Sequence, residues 1–375
     1  MSELMRAVVL EKAGSPYVLQ IKNILKPKPR RGEVLIKVCG AGVCHSDLHV
    51  ALGEIPFPIP AVLGHEVSGV IEEVGEGVEG FQRGDRVVAT FIIPCGECYY
   101  CRIGREDLCE KFYNYNRLKG VYFDGDTRLR DVDGSPIYMY SMGAWAEYSV
   151  IPVRDVFKVP PNLPLDKVSV IGCAVMTAFG ACRNASLSPG ETIVVYGIGG
   201  VGSSVVHIAK RVYGVRVIAV DIDDNKLDYA TKLGADYVIN SRREDPVSTV
   251  LKLTNGRGAD AAFEAIGLPL TISQAIKSVR AGGRAVIIGL SRSDAEASFN
   301  INALVRRGVQ IIGSYGGIPS RDIPAILDLL SRGVLNIDYI VQNVYEGIDE
   351  IPRALKELEQ GKVLGRPAVR ISREC

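Results

Sequence analysis

Glu191-Thr-Ile-Val-Val-Tyr-Gly-Ile-Gly-Gly-Val-Gly202 carries an apolar, β-branched run straight into a G-x-G-x-x-G turn. The run Glu191–Tyr196 reads as a buried strand, and the residues from Val201 to Tyr213 as the helix after it. Glycines in such a turn let backbone approach a pyrophosphate closely, and the helix N-terminus offers unpaired N–H groups and a positive dipole end. Gly197, Gly199, Gly200, Val201 and Gly202 are therefore assigned to a dinucleotide. A glycine motif alone is weak, and its surroundings decide. Val215–Val220 reads as the next strand, and Asp221 ends it nineteen residues after Gly202, where a carboxylate accepts hydrogen bonds from ribose hydroxyls. Asp221 repels a 2′-phosphate and Asp223 and Asp224 add to that, so NAD is favoured over NADP. The same rhythm continues with a helix from Asn225 to Leu233, then strands at Asp236–Ile239, Ala259–Phe263 and Arg284–Ile288, and ends near Gln310–Gly313. Repeated strand–helix units predict a doubly wound parallel sheet.

Upstream, the first 150 residues have a different cadence. Ala7–Leu10, Glu33–Val38 and Val67–Val74 are short strand-like runs separated by glycine-rich turns, the pattern of a β-barrel-like domain with functional loops. Its loops hold the chemistry. Cys44-His-Ser-Asp-Leu-His49 and Gly64-His-Glu66 place three of the four histidines within 23 positions. Soft sulfur with imidazole suits zinc, whose catalytic sites take three protein ligands. Cys44 and His65 offer two, and Cys173 is the best remaining source of the third. Cys95, Cys98, Cys101 and Cys109 are spaced x2, x2, x7, as in a closed thiolate cage for structural zinc. An iron–sulfur cluster is the rival, but the bacterial ferredoxin run ends x3 and is followed by proline. Here the last gap is seven and Glu110 follows. Asp124-Gly-Asp126 and Asp131-Val-Asp-Gly134 lack the EF-hand pattern. The polar and aromatic stretch from Phe112 to Tyr140 is read as an irregular surface excursion.

The bulk numbers narrow the field. A chain of 375 residues suggests two domains, and 47% hydrophobic with 23% charged content is ordinary for a globular protein. A net charge of +1 gives no reason to expect nucleic acid. No apolar run reaches the roughly 18–20 residues of a membrane span. The first residues lack a signal-peptide pattern. A cytoplasmic location without disulfides is expected, with Cys39 and Cys182 as packing residues and Cys375 mobile.

Together, Gly42–Asp47, Gly64–Glu66, the four-cysteine lobe, Cys173 and Gly197–Gly202 with Asp221 resemble the zinc-dependent alcohol dehydrogenases of the medium-chain dehydrogenase/reductase superfamily. The resemblance spans nearly the whole chain. It implies a GroES-like catalytic domain over residues 1–174, completed by 313–375, and a Rossmann NAD-binding domain over 175–312, with the active site in the cleft between them. It also implies two zincs per subunit and a homodimer or homotetramer. Ser46 would hydrogen-bond the substrate hydroxyl, and His49 would carry its proton outward. Asp47 would support His65, and Glu66 would assist ligand exchange. Thr177 and Val201 would border the nicotinamide, and Arg366 would meet the pyrophosphate. His45 stands where some relatives carry an arginine against that group. Phe91 and Trp145 would line the substrate pocket.

The implied activity is reversible hydride transfer between primary or secondary alcohols and NAD. One alternative is a specialised aldehyde reductase, for example of a semialdehyde acid, using NAD(P)H. A basic residue projecting into the pocket would support it. A non-catalytic NAD-binding sensor is the other alternative, disfavoured by the intact Cys44, His65, Cys173, Ser46 and His49.

Overall fold

The computed structural model describes residues 3–292, 294–372 and 375. The chain divides into two compact units, Met1–Cys173 with Ile318–Ser331 and Val341–Cys375, and Ala174–Gly317 with Arg332–Ile340. These bounds depart from the expected ones at Arg332–Ile340, which returns to the second unit. Hydrogen bonds account for this: Asn336 N–H donates to His207 Nε2 at 3.1 Å, Arg211 Nε to the Val334 carbonyl at 3.3 Å, and the Tyr229 hydroxyl to the Tyr339 carbonyl.

In the second unit six parallel strands run in the order Tyr237–Asn240, Arg216–Asp221, Thr192–Tyr196, Ala259–Glu264, Val279–Ile287 and Gln310–Gly313. Counted along the chain this is 3-2-1-4-5-6, the doubly wound order that reverses at the first strand. Strands covered on both faces must be apolar throughout, and Val194, Ile218, Ile239, Ala262 and Ala285 are buried together. The helix Gly200–Tyr213 starts at the glycine turn and stops at Gly214, which takes a left-handed φ of 64°. The next helix, Asp224–Leu233, is capped by the Asp223 carboxylate, which accepts from Asn225 N–H at 2.9 Å.

The first unit holds a closed barrel of Leu4–Lys12, Val18–Leu25, Leu129–Arg130, Pro136–Met139 and Ala61–Val62, and a seven-stranded sheet centred on Glu33–Gly42. The stretch from Phe112 to Tyr140 is thus no loose excursion, because two of its segments are barrel strands. Ionic pairing organises the rest of it. The Arg128 side chain, 5% exposed, forks onto the Glu33 carboxylate at 2.7–3.1 Å and also reaches Asp124, while Asp126 pairs with Arg30 and Arg130. The acids are ion-pair partners as well as turn formers.

A second departure lies at the C-terminus. The strand Ala368–Arg370 runs antiparallel to Glu33–Gly42, with Val369 opposite Ala41, and Ile371 N–H donates to the Cys39 carbonyl at 2.9 Å. That return brings Cys375 to Cys39, and the two form a disulfide. They are neither a packing thiol nor a mobile end. Spacing could not show this pairing, since 336 positions separate the partners.

Candidate active site

Cys44 leaves the strand Glu33–Gly42 as the N-cap of the short helix His45–Ala51. Its sulfur accepts from Ser46 N–H at 3.5 Å, and the Asp47 carboxylate reaches back to Cys44 N–H at 3.0 Å. The other oxygen of Asp47 accepts from Gly64 N–H and from His65 Nδ1–H, each at 3.0 Å. One fully buried carboxylate therefore fixes both loops that carry the ligands, and it sets the His65 tautomer so that Nε2 faces away from it. Two glycines make this approach feasible. A Cβ at Gly64, where φ is +87°, would meet the Trp145 ring at 2.4 Å, and one at Gly42 would lie 1.8 Å from Glu66 Oε2. Cys173 follows the tight turn Ser169–Gly172, which Phe91 N–H holds by donating to the Gly172 carbonyl at 3.0 Å.

Cys44, His65 and Cys173 come together with their donor atoms within 4.8 Å of one another, all buried. His65 Nε2 is buried with no hydrogen-bond partner. Two sulfurs and an imidazole nitrogen that lacks any other occupation fit zinc, with a fourth coordination position left over. The electrostatics suit a cation too. A sulfur hydrogen bond from Cys173 holds the Cys44 thiol well below its ordinary range against the cost of burial, aided by Arg366 and His65. The same bond, with burial, pushes Cys173 well above. Burial alone would lower His65, yet the charges of Asp47 and Cys44 hold it up at about 10. A metal entering this set must displace protons.

Cys95, Cys98, Cys101 and Cys109 form a second cluster, also with all donors within 4.8 Å. Backbone N–H groups of Glu97 and Cys98 point at the Cys95 sulfur at 3.5 and 3.3 Å, and those of Cys95 and Phe112 at Cys109 at 3.3 and 3.4 Å. Such donors stabilise thiolates, as a closed structural zinc cage needs. Burial is the first influence on Cys98, but amides of Cys101 and Glu110 overcome it and lower the thiol to about 7.

The remaining expected residues fall as follows. Ser46 and His49 lie three apart on the short helix, both half-buried, and His49 Nδ1 meets the Glu54 carboxylate. Glu54 was not anticipated, and it gives the ring a partner on its outer side. His45 is exposed on the same helix. Glu66 is fully buried, with Arg366 Nε 3.4 Å from its Oε1. Arg366, expected to meet a pyrophosphate, is 3% exposed and also donates to the Val43 carbonyl at 3.4 Å. Trp145 is fully enclosed and its Nε1 donates to the Gly42 carbonyl at 3.2 Å. It props the ligand loops from behind. Phe91 packs edge-on to His65 with ring centroids 6.0 Å apart. Tyr140 does the same at 5.5 Å, with Phe57 behind it at 5.2 Å. Neither Tyr140 nor Phe57 was singled out, because aromatic residues in a stretch without periodicity give no sign of which way they face.

In the second unit Gly197 takes φ +86°, and a Cβ on Gly202 would lie 1.8 Å from the Gly197 carbonyl oxygen. Helix and turn approach too closely there for any other residue. Asp221 accepts from Ile198 N–H at 2.8 Å, Ile222 N–H at 2.7 Å and Asp223 N–H at 3.1 Å. A carboxylate has about four acceptor positions, so the residue that shapes the glycine turn keeps capacity for a ribose hydroxyl. Thr177 is buried in the helix Ala174–Asn184, and Val201 is half-buried in the first turn of Gly200–Tyr213. Arg243, just beyond the strand Tyr237–Asn240 that pairs with Arg216–Asp221, reaches the Asp224 carboxylate.

Comparison with known proteins agrees with this geometry. Residues 30–161 match the alcohol dehydrogenase GroES-like domain, and residues 200–332 the zinc-binding dehydrogenase domain. An S-(hydroxymethyl)glutathione dehydrogenase of Escherichia coli is 36% identical over 363 residues, 95% of this chain and 97% of that one. Benzyl alcohol dehydrogenase from Acinetobacter calcoaceticus superposes with a TM-score of 0.91 at 32% identity, covering 99% and 100% of the two chains. A solved NAD-dependent alcohol dehydrogenase gives 0.82 at 31%, covering 98% and 100%.

Proposed function

The chain belongs to the zinc-dependent medium-chain alcohol dehydrogenases, and from that premise we propose that it interconverts primary or secondary alcohols and their aldehydes or ketones. The observation that carries this is the buried Cys44–His65–Cys173 donor set with Asp47 behind the imidazole. Bound zinc would supply Lewis acidity toward the substrate oxygen, and the nicotinamide would accept or donate hydride. The chain's own residues do the rest. Asp47 keeps His65 in the tautomer that presents Nε2. Arg366 balances the buried Glu66 beside the ligands. Ser46 holds the substrate hydroxyl, and His49, three residues on and next to Glu54, moves its proton outward. Phe91 and Tyr140 exclude water from the ligand imidazole.

NAD is favoured over NADP because Asp221 meets the ribose and Asp224 already engages Arg243. The substrates named for the two relatives, a hydroxymethyl thioether and a benzylic alcohol, set the range worth testing. Self-association through the second unit is supported by its edge strand Gln310–Gly313 and the helix Ile301–Arg307, which expose Ile301 and Val305 at 72% each.

The test is alcohol-dependent NADH formation with both cofactors, run beside zinc quantification. Wild-type protein should carry two zincs. Cys44→Ser should lose one of them, with kcat/KM falling on the order of a thousandfold. Cys98→Ser should lose the other and lower Tm. Active wild-type enzyme with metal in the four-cysteine lobe alone would end the proposal.

A further inference from the structure

The way the short helix His45–Ala51 ends decides what sits against the outer nitrogen of His49. Leu52 is its C-cap, and Gly53 follows at a left-handed φ of 75°. Gly53 N–H donates to the Val50 carbonyl at 3.0 Å, and Glu54 N–H to the His49 carbonyl at 2.9 Å. These are the paired bonds of a Schellman end, in which the second residue past the cap doubles back over the third residue before it. Ile55 N–H donates to the His49 carbonyl as well, at 3.2 Å, and Gly14 N–H braces the turn by donating to the Ala51 carbonyl at 2.9 Å.

That crossing usually joins two apolar side chains. Here it joins a carboxylate to an imidazole, because Glu54 Oε2 meets His49 Nδ1. An ionised carboxylate only accepts, so Nδ1 carries the proton in this bond and Nε2 keeps its lone pair. Among the described residues Nε2 has no partner. Ser46, three residues earlier, shares the helix face with His49. The two side chains of the pair are 28% and 37% exposed, so water screens them and the effect of the charge is modest.

Building on the relay through Ser46 and His49 given above, we propose that Glu54 is a positioning residue for that relay. Its carboxylate holds His49 in the tautomer and ring orientation whose Nε2 takes the proton arriving by way of Ser46. Glu54 itself neither gains nor loses a proton. Its charge steadies the imidazolium until water takes the proton from the ring. A pair serving only to close the helix end would stabilise the fold and leave proton movement untouched.

The experiment is a double-mutant cycle on kcat/KM for an alcohol that wild type oxidises with NAD. It uses wild type, Glu54→Leu, His49→Gln and the double variant, with zinc content, Tm and ¹⁵N NMR of the four histidines recorded beside it. Leucine supplies the apolar contact usual at such a helix end, so the fold should hold. With the ring neutral, the His49 proton should lie on Nδ1 in wild type and move to Nε2 in Glu54→Leu. Glu54→Leu should lower kcat/KM by about threefold to tenfold, the effect of a half-exposed charge-assisted hydrogen bond, at unchanged zinc content. In the His49→Gln background the same substitution should change kcat/KM by less than about twofold. Glu54→Gln, which keeps an acceptor without the charge, should fall between wild type and Glu54→Leu. Equal losses in both backgrounds, an unmoved ring proton, or wild-type kcat/KM in Glu54→Leu would overturn the proposal while leaving zinc-dependent alcohol oxidation standing. If wild type with both zincs formed no NADH from any alcohol, the underlying activity would fail, and the relay with it.

Discussion

His207, in the helix Gly200–Tyr213, shows how position converts a residue's chemistry. It is 3% exposed, its Nδ1 is buried without a hydrogen bond, and its Nε2 accepts from Asn336 N–H. Burial therefore holds the imidazole down at about 4, against an ordinary 6.5. An unfolded chain binds a proton there that the folded chain refuses. His207 thus contributes stability that is fully present above about pH 6.5 and is lost as the pH falls toward 4. Between about pH 7 and pH 5 that share is about 2 kcal/mol. Urea unfolding across this interval should show the loss in wild type and a flatter profile in His207→Gln, which keeps an acceptor but does not titrate. Parallel profiles would assign the acid sensitivity to other groups. Residue identity was plain from the start at Cys44, His65 and Cys173, because few types bind zinc. At Glu54 and Tyr140 it was not, because a charge or ring means nothing until its neighbours are known.

Among the elements, the strand Ala368–Arg370 is the clearest case of local sequence understating its role. Three residues of ladder would be a weak attachment. Arg366 just before it is buried against Glu66, and Cys375 just after it is bonded to Cys39. The disulfide closes a very long loop, so it restrains the unfolded chain strongly, by about 2–4 kcal/mol in the usual range. Cys375→Ser should unfold at lower urea than wild type, and reduced wild type should coincide with the variant. Identical curves for oxidised wild type and the variant would show that the strand holds without the bond. The strands of the second unit were readable because Val, Ile and Ala fill them between glycine and acid boundaries. The barrel strands Leu129–Arg130 and Pro136–Met139 were not. They are two and four residues long, and their charged neighbours Arg128 and Asp126 pair with Glu33 and Arg30 far away in the sequence.

For the whole molecule, the exposed apolar face of the second unit leads to the last prediction. Among the described residues the strand Gln310–Gly313 ends its sheet, and with a helix exposing Ile301 and Val305 beside it this face invites a second copy. Sedimentation equilibrium should find a dimer or tetramer for wild type and a smaller species for Val305→Lys. A wild-type monomer would remove this reading. By itself the sequence determined the doubly wound sheet, the glycine turn with Asp221, and the two groups, Cys44–His65–Cys173 and Cys95–Cys98–Cys101–Cys109, whose donor atoms come close enough together that they could hold a metal. In each, spacing along the chain expresses a local constraint: strand and helix periods, φ sign, ligand chemistry. Only the tertiary structure decided the Cys39–Cys375 bond, the return of Arg332–Ile340 to His207 and Arg211, the enclosure of Trp145, and the packing of Phe91 and Tyr140 on His65. Each of these rests on contacts between distant positions, and such contacts leave no period or spacing to read.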